Sequence, residues 1–428
     1  MSTPLRLGIA GLGTVGIGVV KIVQMHAEML ALRAGRPVAI SAVCANSRTK
    51  KRGIDISGYA WEDDPVALAR RDDVDVVLEL MGGENGAAKA LVEAALKTGK
   101  DVVTANKALL AHHGNDLAQL AEGNGRKLRF EAAVAGGIPV IKAMTESLAA
   151  NKITRVMGVM NGTCNYILTR MESAGLPYDV VFEEARKLGY LEADPNLDVG
   201  GIDAGHKLSL LSAIAFGTRV DFDAVVLQGI GEISINDINL ARDMGYSIKL
   251  LGVSQMTGRG LEQRMTPCLV PETHPLGQLQ GGTNMVVVEG DSVGQIVLRG
   301  AGAGEGPTAS AVMGDVMDIA RGIELPTFGQ PIGSLTKAPP AAVSTGASWY
   351  LRMVLLDKPG ALSKIATIFG DAGISIDRMR QYSHDDAHAP VLFVTHKASS
   401  DDLEVVMERF VASGVVVGTP MALRIEDV

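Results

Sequence analysis

The chain has 428 residues, 47% apolar and 21% charged, a globular composition that excludes a disordered protein or a small stapled scaffold and leaves room for two or three domains. With 40 Lys and Arg against 48 Asp and Glu, the net charge of -8 has the wrong sign for a protein whose main partner is nucleic acid. Its three cysteines form no C-x-x-C pair, which predicts a reducing, cytoplasmic setting, and no apolar run reaches the roughly 18–20 residues of a membrane helix, so no membrane partner is expected.

Strand-like and helix-like segments alternate from the start: LRLGIA, a helix from about Val15, PVAISAVCA, a short helix near Pro65, VDVVLELMG, a helix through Lys97, then DVVTAN and LRFEAAV. Short Val-rich strands between helices predict an α/β fold with a parallel sheet covered on both faces. The stretch Leu7 to Val20 is apolar enough for a signal-peptide core, but repeated Gly and a single preceding Arg argue against one. From about Ile138 longer helices interleave with strands TRVMGVM and MVVVEG and predict a second, α+β domain; one helix, Ala204 to Phe216, carries an expected buried stripe of Leu208, Leu211 and Ala215. The segment Gly300 to Arg321 reads as a Gly-rich loop and a helix capped by Thr308 or Ser310, returning to the first domain. Residues 336–348 have linker composition, and a strand–helix–strand–strand–helix–strand order follows, a βαββαβ unit. The expected organisation is 1–137 completed by about 301–335, then 138–300, the linker 336–348, and 349–428.

Strand LRLGIA runs directly into Gly11-Leu12-Gly13-Thr14-Val15-Gly16. In this context G-x-G-x-x-G is a dinucleotide fingerprint: Gly11 permits the tight turn, Gly13 lets backbone approach a pyrophosphate, Gly16 lets helix pack on strand, and the helix N-terminus at Thr14 and Val15 offers free N–H groups. Past the second strand, where an NAD enzyme carries an acidic residue for the ribose, stand Arg48, Lys50 and their basic neighbours; this favours NADP(H) and leaves NAD(H) open. At the end of DVVTAN, Thr104 and Lys107 sit where open α/β sheets hold ligands. Further on, Asp203 and Lys207 are i and i+4 on one helical face, behind a run of carboxylates.

With GLGTVG, TANK at 104–107, FEAAVAGGIP at 130–139, NGTCNYIL at 161–168, GYLEADP at 189–195, DVGGIDAGHK at 198–207 and EGPTASAV at 305–312, the chain resembles homoserine dehydrogenases over essentially its whole length. The resemblance implies a Rossmann-type cofactor domain, a substrate and dimerisation domain, and NAD(P)H-dependent reduction of L-aspartate 4-semialdehyde to L-homoserine in threonine, methionine and isoleucine biosynthesis. It implies Lys207 as proton donor, Lys107 as the second lysine, Glu192 and Asp203 on the substrate ammonium, Tyr190 and Thr163 as further substrate contacts, and Gly306 beside the nicotinamide. It also implies a monovalent-cation site, sodium or potassium, formed by the Glu131 carboxylate and carbonyls of Val134, Gly136 and Ile138. Burial and a second cation are expected to lower the lysine pKa values towards neutrality. His206 is the rival acid or base, and His112 and His113 read as surface residues.

The C-terminal unit, with Asp357-Lys358-Pro359-Gly360 at its first turn, resembles an ACT (ferredoxin-like) domain, which implies an L-threonine effector and a homodimer or homotetramer. Sensing members often carry Asn where GISID has Ser375. Two other readings stay open at this point: a phosphorylating semialdehyde dehydrogenase using Cys164 as nucleophile, and a catalytically inert, NADP-binding amino-acid sensor.

Overall fold

Six short strands build the first sheet: β1 (Leu5–Ala10), β2 (Val38–Cys44), β3 (Ala60–Glu62), β4 (Val76–Glu79), β5 (Asp101–Thr104) and β6 (Leu128–Arg129). All pair in parallel in the order β3-β2-β1-β4-β5-β6, so the winding reverses between β1 and β4. This is the doubly wound Rossmann arrangement, whose ligand crevice lies at the carboxyl ends of β1 and β4. Because successive strand side chains point to opposite faces, each strand feeds two cores. Leu7, Ile9, Val76 and Leu78 pack with Val312 and Val316 on one face, while Ala10, Val77 and Val102 pack with Leu91 and Leu109 on the other. Each such fully buried Leu or Ile contributes roughly 1.5–3 kcal/mol. The computed structural model describes residues 3–192, 194–341, 346–382 and 387–428.

The helix Glu305–Arg321 covers the first of these faces, lying on the helix Thr14–Met25. Gly18 makes the approach feasible, since a Cβ there would sit 2.8 Å from both the Ala309 Cβ and the Glu305 carbonyl oxygen. This helix starts at Glu305 behind Gly304 (φ 118°), with no side-chain cap. Thr308 and Ser310 therefore lie inside it instead of capping it, because a glycine in a left-handed conformation ends the preceding loop earlier than the hydroxyls suggested.

The second sheet has ten strands: β7 (Ile153–Val159), β8 (Val226–Leu227), β9 (Tyr246–Thr257), β10 (Gly260–Pro271), β11 (Thr283–Gly290), β12 (Gly294–Ala301), β13 (Ser348–Leu356), β14 (Ile376–Gln381), β15 (His388–Thr395) and β16 (Val416–Ile425). Their order is β12-β11-β7-β9-β10-β16-β13-β15-β14, with β8 paired to β10. The last four strands, with helices Ala361–Asp371 and Ser400–Ala412, form the βαββαβ unit, but it does not hang free behind a linker. Strand β16 pairs in parallel with β10 through Cys268 with Arg424 and Leu269 with Ile425, so an otherwise open sheet edge is closed. Part of the expected linker is also pinned: Thr336 bridges to Thr218 and Pro340 to Leu261, while residues 342–345 lie outside the described ones.

The helix Ile202–Phe216 packs on β7, β9 and β10 on one side and on the helix Lys107–Gly123 of the first domain on the other. Residues 203–213 are consequently buried all round, instead of showing the single stripe expected, and Ala215 is only partly buried. Among the described residues no single helix is long and apolar enough to cross a membrane; helices Thr14–Met25 and Ala27–Ala34 are bent by 82° at their junction.

Candidate active site

The packing of helix 202–216 on helix 107–123 creates a cleft of about 530 Å³ between the two layers. Lys107 opens its helix behind Asn106, whose Oδ1 caps it by accepting from the Leu109 N–H (3.1 Å). Its ammonium reaches Asp203 Oδ1 at 2.8 Å, while Lys207, one turn after Asp203, donates to Asp203 Oδ2 at 2.7 Å and to the Met160 carbonyl at 2.8 Å. One buried carboxylate thus holds two lysines brought from different domains. Burial pushes the Asp203 carboxyl up, but the two ammonium groups outweigh it and hold it below the usual carboxylate range. Burial likewise lowers Lys107, yet Asp203, with Glu192 and Asp198 behind it, leaves it above its ordinary value. The expectation of lysines lowered towards neutrality is corrected for Lys107, since the shared carboxylate, with Glu192 and Asp198, outweighs burial.

Glu192, Tyr190 and Thr163 also line the cleft. The Glu192 backbone N–H donates to Asp198 Oδ2 (3.0 Å), and burial raises its carboxyl above the ordinary value despite Lys107. The Thr163 hydroxyl donates to the Tyr190 carbonyl at 2.9 Å, and the Tyr190 ring stacks on Tyr166 with centroids 4.7 Å apart.

At the mouth of the first sheet Gly11 has φ 101°, and a Cβ there would lie 2.4 Å from the Leu80 carbonyl oxygen; at Gly16 it would lie 2.0 Å from that of Gly11. A Cβ at Gly13 would meet open space, Thr14 begins the first helix, and Val15 lines the cleft. Opposite stand Gly302, Ala303 and Gly304, while Gly306 lies in the first turn of helix 305–321 and not in a loop. Arg48 and Lys50 are exposed; the Arg48 guanidinium lies 6.0 Å from the Trp61 ring centroid and that of Arg52 5.6 Å.

The sequence matches the family described as "Homoserine dehydrogenase" over residues 139–317, "Homoserine dehydrogenase, NAD binding domain" over 11–131 and "ACT domain" over 349–413. It is 45% identical to the homoserine dehydrogenase of Neisseria gonorrhoeae over 92% of each chain, and 40% identical to that of Pseudomonas aeruginosa over 99% of each. A crystal structure of a homoserine dehydrogenase from Thiobacillus denitrificans superposes with a TM-score of 0.93 at 38% identity, covering 99% of both chains. The chain belongs to the homoserine dehydrogenase family. It is an oxidoreductase acting on the CH–OH group of homoserine, with a nucleotide-binding domain and a C-terminal ACT domain.

Within this homoserine dehydrogenase fold the rival groups lose their chemistry. His206 does not line the cleft; its ring packs on Phe222 (centroids 4.3 Å apart) and His112 (5.4 Å), and burial, reinforced by His112, pushes it down to about 4, leaving it neutral at pH 7. His112 is exposed, as expected, with its ring edge against this pair and its Nε2 3.2 Å from Glu84, while His113 is half-buried with its Nε2 2.8 Å from Asn85 Oδ1. Cys164 is fully buried, its thiol donates to the Asp198 carbonyl (3.2 Å), and burial raises it well above its ordinary value. A protonated, enclosed thiol is no nucleophile, which removes the phosphorylating reading.

Glu131 is buried, and its carboxylate accepts from the Ile141 N–H (3.0 Å) and the Lys142 N–H (2.8 Å). Burial, with Asp315 nearby, pushes it up to about 7. Beyond it the chain bends through Ala135 (φ 55°) and Gly136 (φ 53°), and the Ile138 carbonyl accepts from the Val140 N–H. Among the described residues no group of three or more His, Cys, Asp or Glu is placed to hold a metal ion. A cation at this bend would rest on one carboxylate and backbone carbonyls, hard oxygen donors that suit a monovalent ion.

Sequence reasoning passed over several residues that the fold brings in. Asn161 caps the helix Gly162–Ala174 and donates from Nδ2 to Asp198 Oδ1 (3.0 Å), placing Asp198 beside Asp203. Glu79, fully buried at the end of β4, accepts from the Met81 and Gly82 N–H groups (2.8 and 3.1 Å) and from the Thr104 hydroxyl (2.7 Å). Thr104 therefore faces Glu79 and not the cleft. Arg52 donates to the Leu12 carbonyl (3.4 Å) and ties the basic loop to the Gly-rich turn. Of these Asp198 had a local signal in DVGGIDAGHK, Asn161 in NGTCNYIL and Arg52 in the basic run after the second strand, whereas Glu79 had none.

Proposed function

We propose that this enzyme reduces L-aspartate 4-semialdehyde to L-homoserine with NADPH in preference to NADH, with Lys207 as the proton donor. The carrying observation is the Lys107–Asp203–Lys207 cluster at 2.8 and 2.7 Å on the wall of the cleft. NADPH, when bound, supplies the hydride to the carbonyl carbon. An ammonium has three donors, and Lys207 spends two on Asp203 and Met160, which leaves one for the carbonyl oxygen. As negative charge builds on that oxygen the Lys207 ammonium stabilises it and passes a proton to it, completing the alcohol. Lys107 supplies a second positive charge beside the reacting carbon. Glu192, and Asp203 with the lone pairs its lysines leave, receive the substrate ammonium, while Thr163 and Tyr190 fix the wall beside them.

The nucleotide's pyrophosphate rests on Gly13 and the N-terminus at Thr14 and Val15, where no Cβ intrudes. Arg48 and Lys50 attract a 2′-phosphate, and the Arg52 tether holds their loop over the turn. Glu131, Val134, Gly136 and Ile138 hold a monovalent cation. L-threonine is the proposed effector of the ACT domain, and the chain assembles as a homodimer or homotetramer.

The test is NADPH oxidation followed with aspartate 4-semialdehyde for the wild type and Lys207→Ala. A loss of about 10²–10⁴ in kcat with intact NADPH binding is expected. Turnover near wild type in the variant would remove Lys207 from the mechanism, and no oxidation by the wild type would leave the sensor reading.

A further inference from the structure

Lys249, on β9, is 1% exposed and makes no ion pair among the described residues. A buried ammonium without an ion-pair contact is costly unless its hydrogen bonds are satisfied, which makes its acceptors the place to look for its role. Its Nζ donates to the Leu279 carbonyl at 2.6 Å and to Asn165 Oδ1 at 3.3 Å. Asn165 in turn donates from Nδ2 to the Gly281 carbonyl at 2.7 Å. The two side chains therefore grip one turn, Leu279 to Gly282, from its buried side.

The other side of that turn is a wall of the active-site cleft, which Gly282 and Asn284 line. The fit there is close: a Cβ on Gly162, beside Asn161 and Thr163, would lie 2.6 Å from the Gly282 carbonyl oxygen. Asn284 donates to the Met160 carbonyl (3.0 Å), the same oxygen that accepts from Lys207. A shift of the turn would thus reach the substrate end of the cleft directly, while the Gly-rich nucleotide turn lies on the other domain.

We propose that Lys249 is a positioning residue: with Asn165 it clamps the turn Leu279 to Gly282, and through it sets the substrate side of the cleft. The proposal rests on the reading of Glu192 and Asp203 as substrate-binding groups. Burial pushes the Lys249 ammonium down to about 8 against the opposing charge of Glu172, while its hydrogen bonds go to neutral oxygens.

The test uses the full-length enzyme with Lys249→Met, which keeps the chain length without the donor, and Asn165→Ser, which shortens the partner. In both, KM for aspartate 4-semialdehyde is expected to rise about tenfold, with KM for NADPH and kcat within about threefold of wild type. Amide hydrogen exchange across residues 276–284 is expected to quicken in both. A purely structural role would lower kcat through a smaller active fraction and leave both KM values alone; that result, or equal rises in both KM values, overturns the proposal. If neither variant folds, the pair is a determinant of the fold and the positioning role is rejected. Should the wild type itself not oxidise NADPH with the aldehyde, the substrate reading fails, and unchanged exchange across 276–284 in the variants would separately remove the clamp.

Discussion

At the scale of single residues, one carboxylate decides the chemistry of its neighbours. Asp203 keeps Lys107 above its ordinary value and is itself held low, so this pair stays ionised through neutral pH and places positive charge where an alkoxide develops. Asp203→Asn leaves two ammonium groups facing each other; kcat is expected to fall by about 10² or more, with NADPH affinity retained in a fluorescence titration. Glu192 behaves oppositely, since burial raises it above the usual carboxylate range. Lowering the pH protonates it sooner than an unshifted glutamate, so KM for the aldehyde is expected to climb on acidification. In Glu192→Gln, KM is expected to be raised already and flat across the same range; a wild type whose KM ignores pH would remove the charge of Glu192 from substrate binding.

Secondary-structure elements set how cofactor and substrate sides meet. The Gly-rich turn needs Gly11 for its left-handed backbone and its approach to Leu80, whereas Gly13 is free on its outer side. The basic loop after β2 is attached to that turn through Arg52 and braced on Trp61. Removing the two outer cations in Arg48→Ala/Lys50→Ala is therefore expected to raise KM for NADPH by about tenfold while changing that for NADH by under about twofold. Equal changes for both nucleotides would show that the loop reads no 2′-phosphate.

For the whole molecule, two junctions add to the packing of helix 202–216 on helix 107–123. At the first, Glu131 and Asp315 are buried near each other and pushed up to about 7 and about 6, with Lys142 paired to Asp315 and Asp318. Acids raised on folding stabilise most below their unfolded pKa values and lose that contribution as pH rises through the folded ones, here between about 4 and 7. The Tm is expected to fall by roughly 1 °C per kcal/mol lost over this window. If a monovalent cation sits at Glu131, exchanging choline for potassium is expected to restore Tm at pH 8 and do little at pH 5; equal effects at both values would deny the site. At the second junction, Glu426 on the terminal segment is buried against Arg264 of β10 (2.6 Å), which also pairs with Glu262 (2.8 Å). Glu426→Gln leaves buried arginines short of charge, and a loss of about 3 kcal/mol is expected in urea unfolding. Trp349 fluorescence, read in a Trp61→Phe background, is expected to change at the same urea concentration as activity is lost, because the ACT strands continue the catalytic sheet.

Much of this protein is written in local pattern. The period-two Val-rich strands, the G-x-G-x-x-G turn between strand and helix, the i, i+4 pair Asp203 and Lys207, and the βαββαβ order each depend on residues close in the chain, so backbone geometry alone fixes their meaning. Tertiary structure alone decided the rest. It brought Lys107 onto the far side of Asp203, turned Thr104 towards Glu79, closed Cys164 and His206 away from solvent, set Lys249 behind the Leu279 to Gly282 turn and joined β16 to β10. The physical reason is that charge, burial and hydrogen-bond satisfaction belong to whichever groups packing brings together. Neither the strength of a pKa shift nor the partner of a buried polar group has a periodicity that a sequence displays.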